Sequence, residues 1–335
     1  MGDHRFVVAI SEEMQRLCFP GGAWDELLGL YPFECVRSLA GLSEDEWRAL
    51  CREVEVLVGP WGMRAFPVTD TAADLPQYLC YMSGAVSGFL TEKHLQLGMR
   101  VTNWGDSIAD TIAESALMGI LACLRRVGHH QHVTHQQRGW RAAGEATESA
   151  SLFGKRVGLI GLGQIGRALL PLLKPFGVEV FAYDPYVADA VFAEHGVTRV
   201  DSLEALFRMC PIITNHAGRV PELARRIDRA VLRLLPDDGV LVNTARGQIL
   251  VEEDLAAEHQ AGRLWSCLDV FEPEPPAADS PLRDTPRCLI TPHQAGPTKD
   301  RYHCMGRHAI DNLRRWQAGE PLLGEITAEM LPRMT

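Results

Sequence analysis

The stretch Lys155–Leu170, KRVGLIGLGQIGRALL, decides how the rest of the chain is read. Val157–Ile160 is a short apolar run. It breaks into Gly161, Gly163 and Gly166, spaced GxGxxG with Gln164 and Ile165 between, and the apolar spacing then turns helical. A strand, a glycine turn and a helix in that order form a dinucleotide cradle. The first glycine permits the tight turn, the second lets backbone approach a pyrophosphate, and the third lets helix pack on strand. Amides at the helix N-terminus then face the negative charge. A bare GxGxxG could be an ordinary turn; its place between strand and helix favours the cradle.

Outward from that loop, further runs alternate with helix-length segments: VEVFAYD, GVTRV, PIITNHA, GVLVNTA, WSCLDVF and RCLITPH. Such alternation predicts a parallel sheet. Helices are expected over Ile165–Phe176, Ser202–Met209, Pro221–Leu235 and Glu252–Gly262. Pro171 falls inside the first, where its ring and missing amide cost about 3 kcal/mol, so a kink or an opened turn is expected. Upstream, RFVVAI, VEVLVG, YLCYMSG and GMRVTN also read as strands of a second, smaller unit. A long helix is expected at Ser107–Leu121, and the apolar spacing of Met305, Ile310, Leu313 and Trp316 makes Tyr302–Ala318 a helix that must pack after the large sheet is complete. Residues 127–152 read as a surface connection.

At 335 residues the chain is long enough for two domains. With 46% hydrophobic and 23% charged residues it has the composition of a folded enzyme. A net charge of −10 argues against nucleic acid and anionic lipid as partners. Nine cysteines, an odd number without a CxxC pair, suit reduced thiols in the cytoplasm. The opening MGDHRFVVAISEE has no leader pattern, and the apolar run at Ser115–Leu124 stops at Arg125 and Arg126, too short for a membrane span. His129, His130, His132 and His135 lack accompanying cysteines or carboxylates at ligand spacing, so no metal is expected.

Asp184 ends the strand after the glycine loop, 18 residues past Gly166. There a carboxylate can accept from the adenosine ribose hydroxyls and repel a 2′-phosphate, favouring NAD over NADP. Alternatively it caps the turn at Tyr-Asp-Pro.

Four blocks, GKRVGLIGLGQIGRAL, VLVNTARGQILVEEDL, CLDVFEPEP and ITPHQAGPT, together resemble the D-isomer-specific 2-hydroxyacid dehydrogenases in order and spacing. The resemblance runs through residues 99–325. It implies a Rossmann-type parallel-sheet NAD domain, residues 105–296, inserted in a smaller flavodoxin-like α/β substrate domain, residues 1–104 plus 297–335. It implies interconversion of a small 2-keto acid and its D-2-hydroxy acid by a homodimer. Carried over residue by residue, Arg246 looks like the substrate-binding arginine, Glu274 the acidic partner and His293 the general acid/base. Asp269 matches the acid near the nicotinamide, Gln164 and Ile165 the pyrophosphate contacts, and His216 with Ala217 the adenosine-side loop. Thr244, Ala245, Arg246, His293 and Gly296 match further cofactor contacts. Ser83, Gly84, Ala85 and Val86 stand where the family grips the substrate carboxylate, although AVSGFL replaces its usual Gly-x-Gly-x-Asp, and Trp61 is a candidate lining residue.

The chemistry agrees with these residue types. Hydride delivery to a ketone builds negative charge on oxygen, which calls for an imidazole donor. A neighbouring carboxylate favours imidazolium and orients the ring. A guanidinium holds a carboxylate through two parallel hydrogen bonds. Two other readings stand beside this one: a non-catalytic NAD-sensing regulator of the same fold, and a formate dehydrogenase relative. The positioned acid with its carboxylate partner speaks against both.

Overall fold

The computed structural model describes residues 5–140 and 149–334. In chain order the strands are β1 (Arg5–Ala9), β2 (Phe33–Val36), β3 (Val54–Gly59), β4 (Tyr78–Tyr81), β5 (Arg100–Thr102), β6 (Arg156–Ile160), β7 (Glu179–Tyr183), β8 (Thr198–Arg199), β9 (Ile212–Asn215), β10 (Gly239–Asn243), β11 (Leu264–Leu268) and β12 (Cys288–Ile290). The helices are α1 (Glu12–Cys18), α2 (Ala23–Leu28), α3 (Glu44–Glu53), α4 (Glu92–Gln96), α5 (Ala109–Leu124), α6 (Val127–Gln131), α7 (Gln164–Leu173), α8 (Asp189–His195), α9 (Leu203–Met209), α10 (Arg229–Leu232), α11 (Glu252–Gln260) and α12 (Tyr302–Ala318). The chain divides into two compact units, Met1–Ile108 with Pro297–Thr335, and Ala109–Gly296. The first crossing thus falls after Ile108 rather than after residue 104, because the turn before α5 stays with the first unit.

The continuous unit holds seven parallel strands in the order β12-β11-β10-β9-β6-β7-β8. Counted from its own first strand this is 3-2-1-4-5-6-7, the doubly wound arrangement whose order reverses between β6 and β9. The inner strands β6, β9, β10 and β11 are buried on both faces, as a sheet covered by helices requires. β10 and β11 are buried throughout, with Leu206, Phe207 and Leu255 in one core and Ile120, Leu159 and Leu169 in another. The helix after the glycine loop runs unbroken through Pro171 to Leu173, then tightens into a 3-10 turn at Lys174–Phe176.

One expectation here fails. Pro221–Leu235 is not one helix but a 3-10 turn, Pro221–Leu223, followed by the short α10. Arg225 has a left-handed backbone, and Ile227 extends to bridge Leu250, donating to Ile249 O at 2.9 Å and accepting from Val251 N at 3.0 Å. Those bonds use the groups a helix would need. The connection at 127–152 begins with α6 and a π turn at His132–Gln136; its residues 141–148, like Met1–His4, lie outside the described residues.

The interrupted unit has five parallel strands in the order β2-β1-β3-β4-β5, the flavodoxin-like arrangement. Its edge strand β2, FECV, went unread because it alternates poorly and is half exposed. α12 belongs to this unit. Gly306 lets it approach the end of α1 so closely that a Cβ would lie 1.9 Å from Cys18 O. Trp316 stacks on Tyr78 at 4.9 Å. Beyond it, Ile326 N donates to Val101 O at 2.8 Å, and Arg100 takes Glu325 through two bonds of 2.5 and 2.7 Å. All nine cysteines are free. Among the described residues no helix is long and apolar enough to cross a membrane.

Candidate active site

The order reversal between β6 and β9 places the glycine loop against the loop after β9. Gly161 has φ +92°, and a Cβ there would lie 2.9 Å from Ala217 N and 3.0 Å from His216 C. A Cβ on Gly166 would come closer still, 2.5 Å from Gly161 O. Gly163, by contrast, faces open space and caps α7 without a side-chain bond. Among the described residues the amides of Gly163, Gln164 and Ile165 have no acceptor in the chain. These are the features of a cradle that accepts an anion.

Two buried polar atoms on the same edge also lack partners: Nδ1 of His216 and Oγ1 of Thr244. His216 is held by its amide to Ile160 O at 2.8 Å and by Nε2 with Thr214 Oγ1 at 3.1 Å; burial pushes its ring down to about 4. Orphaned groups of this kind are what a bound dinucleotide would satisfy.

Asp184 is largely buried, and both its oxygens accept backbone amides: Leu162 N at 2.8 Å, Tyr186 N at 2.9 Å and Val187 N at 3.2 Å. It therefore caps its turn and ties it to the glycine loop. Three bonds leave a carboxylate acceptor position for another donor.

Arg246, Glu274 and His293 lie past the C-terminal ends of β10, β11 and β12. His293 Nδ1 meets both oxygens of Glu274, at 3.1 and 3.0 Å. Its Nε2 has no partner among the described residues. The imidazole stands on a left-handed backbone, φ +54°, which Asp269 enforces. The Asp269 carboxylate, 1% exposed, accepts from Thr291 Oγ1 at 2.5 Å, Gln294 N at 2.7 Å and Ala295 N at 2.9 Å, and its carbonyl accepts His293 N at 2.9 Å. Asp269 is thus the anchor of the histidine loop. Gly296 follows as the last residue of this unit.

Arg246 begins a 3-10 turn at Gly247, which packs so tightly on the loop after β11 that a Cβ would lie 2.1 Å from Phe271 C. The guanidinium donates to Ala245 O at 2.6 Å. Burial and the charge of Arg219 weaken its hold on its proton, and Glu274 opposes them.

In the other unit, Ser83 is buried after β4, and the amides of Gly84, Ala85 and Val86 have no acceptor among the described residues. Asn103 Nδ2 donates to Gly84 O at 3.0 Å. Trp104 covers Gly84, where a Cβ would lie 2.5 Å from its ring. Trp61, 47% exposed, contacts Trp104 and Tyr302 edge-on and borders a cavity of about 230 Å³ with Met14, Arg37 and Met63. Sequence reading missed Trp104. It also missed Asn215 and Asn243, which join the loops after β9 and β10, although both strands visibly end in asparagine. His129 packs edge-on against His130 and Trp265, and no group of three or more potential metal ligands occurs among the described residues.

The sequence profile described as D-isomer specific 2-hydroxyacid dehydrogenase, NAD binding domain, matches residues 117–295. The chain belongs to that family. It is 28% identical over 300 residues to D-3-phosphoglycerate dehydrogenase of Methanocaldococcus jannaschii, covering 89% of this chain and 56% of that one. It is 34% identical over 224 residues to the Mycobacterium leprae enzyme of the same name, covering 67% and 42%. The chain therefore spans about half the length of these relatives. A hydroxypyruvate reductase of Thermotoga maritima is 29% identical, with 81% and 88% covered. Among solved structures, Rhodotorula graminis D-mandelate dehydrogenase superposes with a TM-score of 0.80 at 22% identity over 96% of this chain and 97% of that one, a likeness of fold. The glycine loop, the orphaned His216 and Thr244 and the seven-stranded order all belong to the NAD-binding part of this 2-hydroxyacid dehydrogenase family member.

Proposed function

We propose that the chain is an NAD-dependent dehydrogenase interconverting a small 2-keto acid and its D-2-hydroxy acid. The observation that carries this reading is the bond from His293 Nδ1 to Glu274, which leaves Nε2 available. NAD would be held by the free amides of Gly163, Gln164 and Ile165, by Asp184 at the ribose, and by His216, Ala217 and the Thr244–Arg246 stretch. When bound, it supplies or accepts the hydride. In reduction, His293 Nε2 gives a proton to the carbonyl oxygen as C2 gains the hydride, and Glu274 stabilises the charged ring and fixes its orientation. Arg246 holds the carboxylate and polarises the carbonyl.

The test is oxidation of NADH, followed by absorbance, against glyoxylate, hydroxypyruvate, phenylpyruvate and phosphohydroxypyruvate, with chiral analysis of the product. Turnover to the L-isomer, or NADH binding without turnover of any keto acid, would overturn the reading; the latter would favour a nucleotide-sensing regulator.

Asp184→Ser is expected to raise the ratio of NADPH to NADH efficiency by about tenfold or more, because removing the carboxylate relieves its repulsion of a 2′-phosphate. A ratio unchanged in coenzyme titrations would assign Asp184 to the turn alone. The active assembly is proposed to be a homodimer in the cytoplasm. Light scattering of the purified chain should give twice the 37.1 kDa chain mass, and a monomer would refute it.

A further inference from the structure

The reading above gives the substrate one anionic handle, its carboxylate. The loop beside Arg246 provides for another. The last residues of β9 and β10, Asn215 and Asn243, are opposite each other in the parallel register. Asn215 Nδ2 donates to Asn243 Oδ1 at 3.0 Å. Each amide oxygen also accepts the backbone amide two residues on, Ala217 N at 3.1 Å and Ala245 N at 3.2 Å. Asn243 Nδ2 donates in turn to Arg246 O at 2.9 Å. The two loops therefore leave the sheet clasped together, and each soon reaches an arginine: Arg219 on one, Arg246 on the other.

Their charges are not balanced. Arg219 is near enough for its charge to act on the Arg246 guanidinium. Glu274, the one carboxylate found to oppose it, has both oxygens against the His293 ring. Arg219 is exposed and makes no hydrogen bond or ion pair among the described residues. The arginines that follow it are provided for: Arg226 meets Glu204 at 2.7 Å and Arg229 meets Asp254 at 3.4 Å. Two cations carried on clasped neighbouring loops repel until something negative joins them.

We propose that Arg219 is a specificity residue that takes a second anionic group, a carboxylate or a phosphate, carried by a 2-keto acid whose first carboxylate lies against Arg246. This rests on the hydroxyacid reading and narrows it to dianionic substrates. A guanidinium suits either group, since both offer paired oxygens to its fork of donors.

The experiment compares kcat/KM, with NADH, for 2-oxoglutarate, oxaloacetate and phosphohydroxypyruvate against pyruvate and 4-methyl-2-oxopentanoate, in the native chain, Arg219→Leu and Arg219→Lys. The native chain should prefer at least one dianion; whether dicarboxylates or the phosphate ester win identifies the group. Arg219→Leu should lower kcat/KM for that dianion by about ten- to a hundredfold, the loss expected for a hydrogen bond to a charged group. Monoanion turnover and the KM for NADH should stay within about twofold, and Arg219→Lys should recover part of the loss. Equal loss on both substrate classes, a raised KM for NADH, or no preference for dianions would overturn the proposal; the raised KM would assign Arg219 to the cofactor phosphates. If no keto acid turns over, calorimetry with 2-oxoglutarate separates the two readings. Binding that Arg219→Leu abolishes keeps the anion site while the dehydrogenase reading falls, and no binding sinks both.

Discussion

Replacing His293 with alanine is expected to lower kcat by about two to four orders of magnitude while NADH still binds with its native affinity. Among the described residues the imidazole has a ring nitrogen without a partner, a carboxylate on the other nitrogen and a backbone amide held by Asp269 O. Its loop should survive the substitution, because the three bonds to the Asp269 carboxylate come from Thr291, Gln294 and Ala295 rather than from the ring. The variant should therefore melt near the native temperature and bind NADH by fluorescence titration. Glu274→Gln should cost less, because an amide can still hold the ring but no longer stabilises its charged form. Native turnover in His293→Ala would remove the histidine from the reaction and with it the proposed chemistry.

Acid should unfold the continuous unit through two buried histidines. Burial pushes His216 and His259 down to about 4, with the Arg287 charge adding to the effect on His259. His259 Nε2 meets Ser266 Oγ at 3.2 Å, while its Nδ1 is buried without a partner. A histidine whose folded value lies below its unfolded value is neutral in the fold and takes its proton first in the unfolded chain. Its contribution is complete above about pH 6.5 and is lost as pH falls from there towards 4. At pH 4 each should cost about 3 kcal/mol, against a total stability on the order of 5–15 kcal/mol for a typical domain. Urea titrations of the chain without cofactor at pH 7, 5.5 and 4.5 would measure the decline. His216→Gln with His259→Gln should flatten it, and an unchanged slope in the double variant would place the acid sensitivity elsewhere.

The large sheet was legible because its inner strands are short apolar runs ended by turn signals, and parallel strands buried on both faces leave little else for such runs to do. The strand-end positions of Arg246, Glu274 and His293 were legible for the same reason: strand ends locate the loops, and the loops carry these residues. Pairing was not legible. Periodicity marks a strand but does not say which neighbour it meets, so the clasp of Asn215 with Asn243 required the register. Pro221–Leu235 misled because its apolar spacing suits a helix, whereas a left-handed Arg225 and the Ile227 bridge direct the backbone elsewhere. Asp184 carried two readings in the sequence, and its amide bonds establish one of them without consuming the acceptor capacity the other needs.

The position of Gly306 under Cys18 bears on how the chain is made. Strands β1 to β5 leave the ribosome about two hundred residues before α12, the helix that seals one of their faces. The unit that begins first is thus finished last. For that interval its nascent sheet must wait for a helix made only after every element of the second unit, and the glycine on α12 keeps the late arrival slim enough to enter.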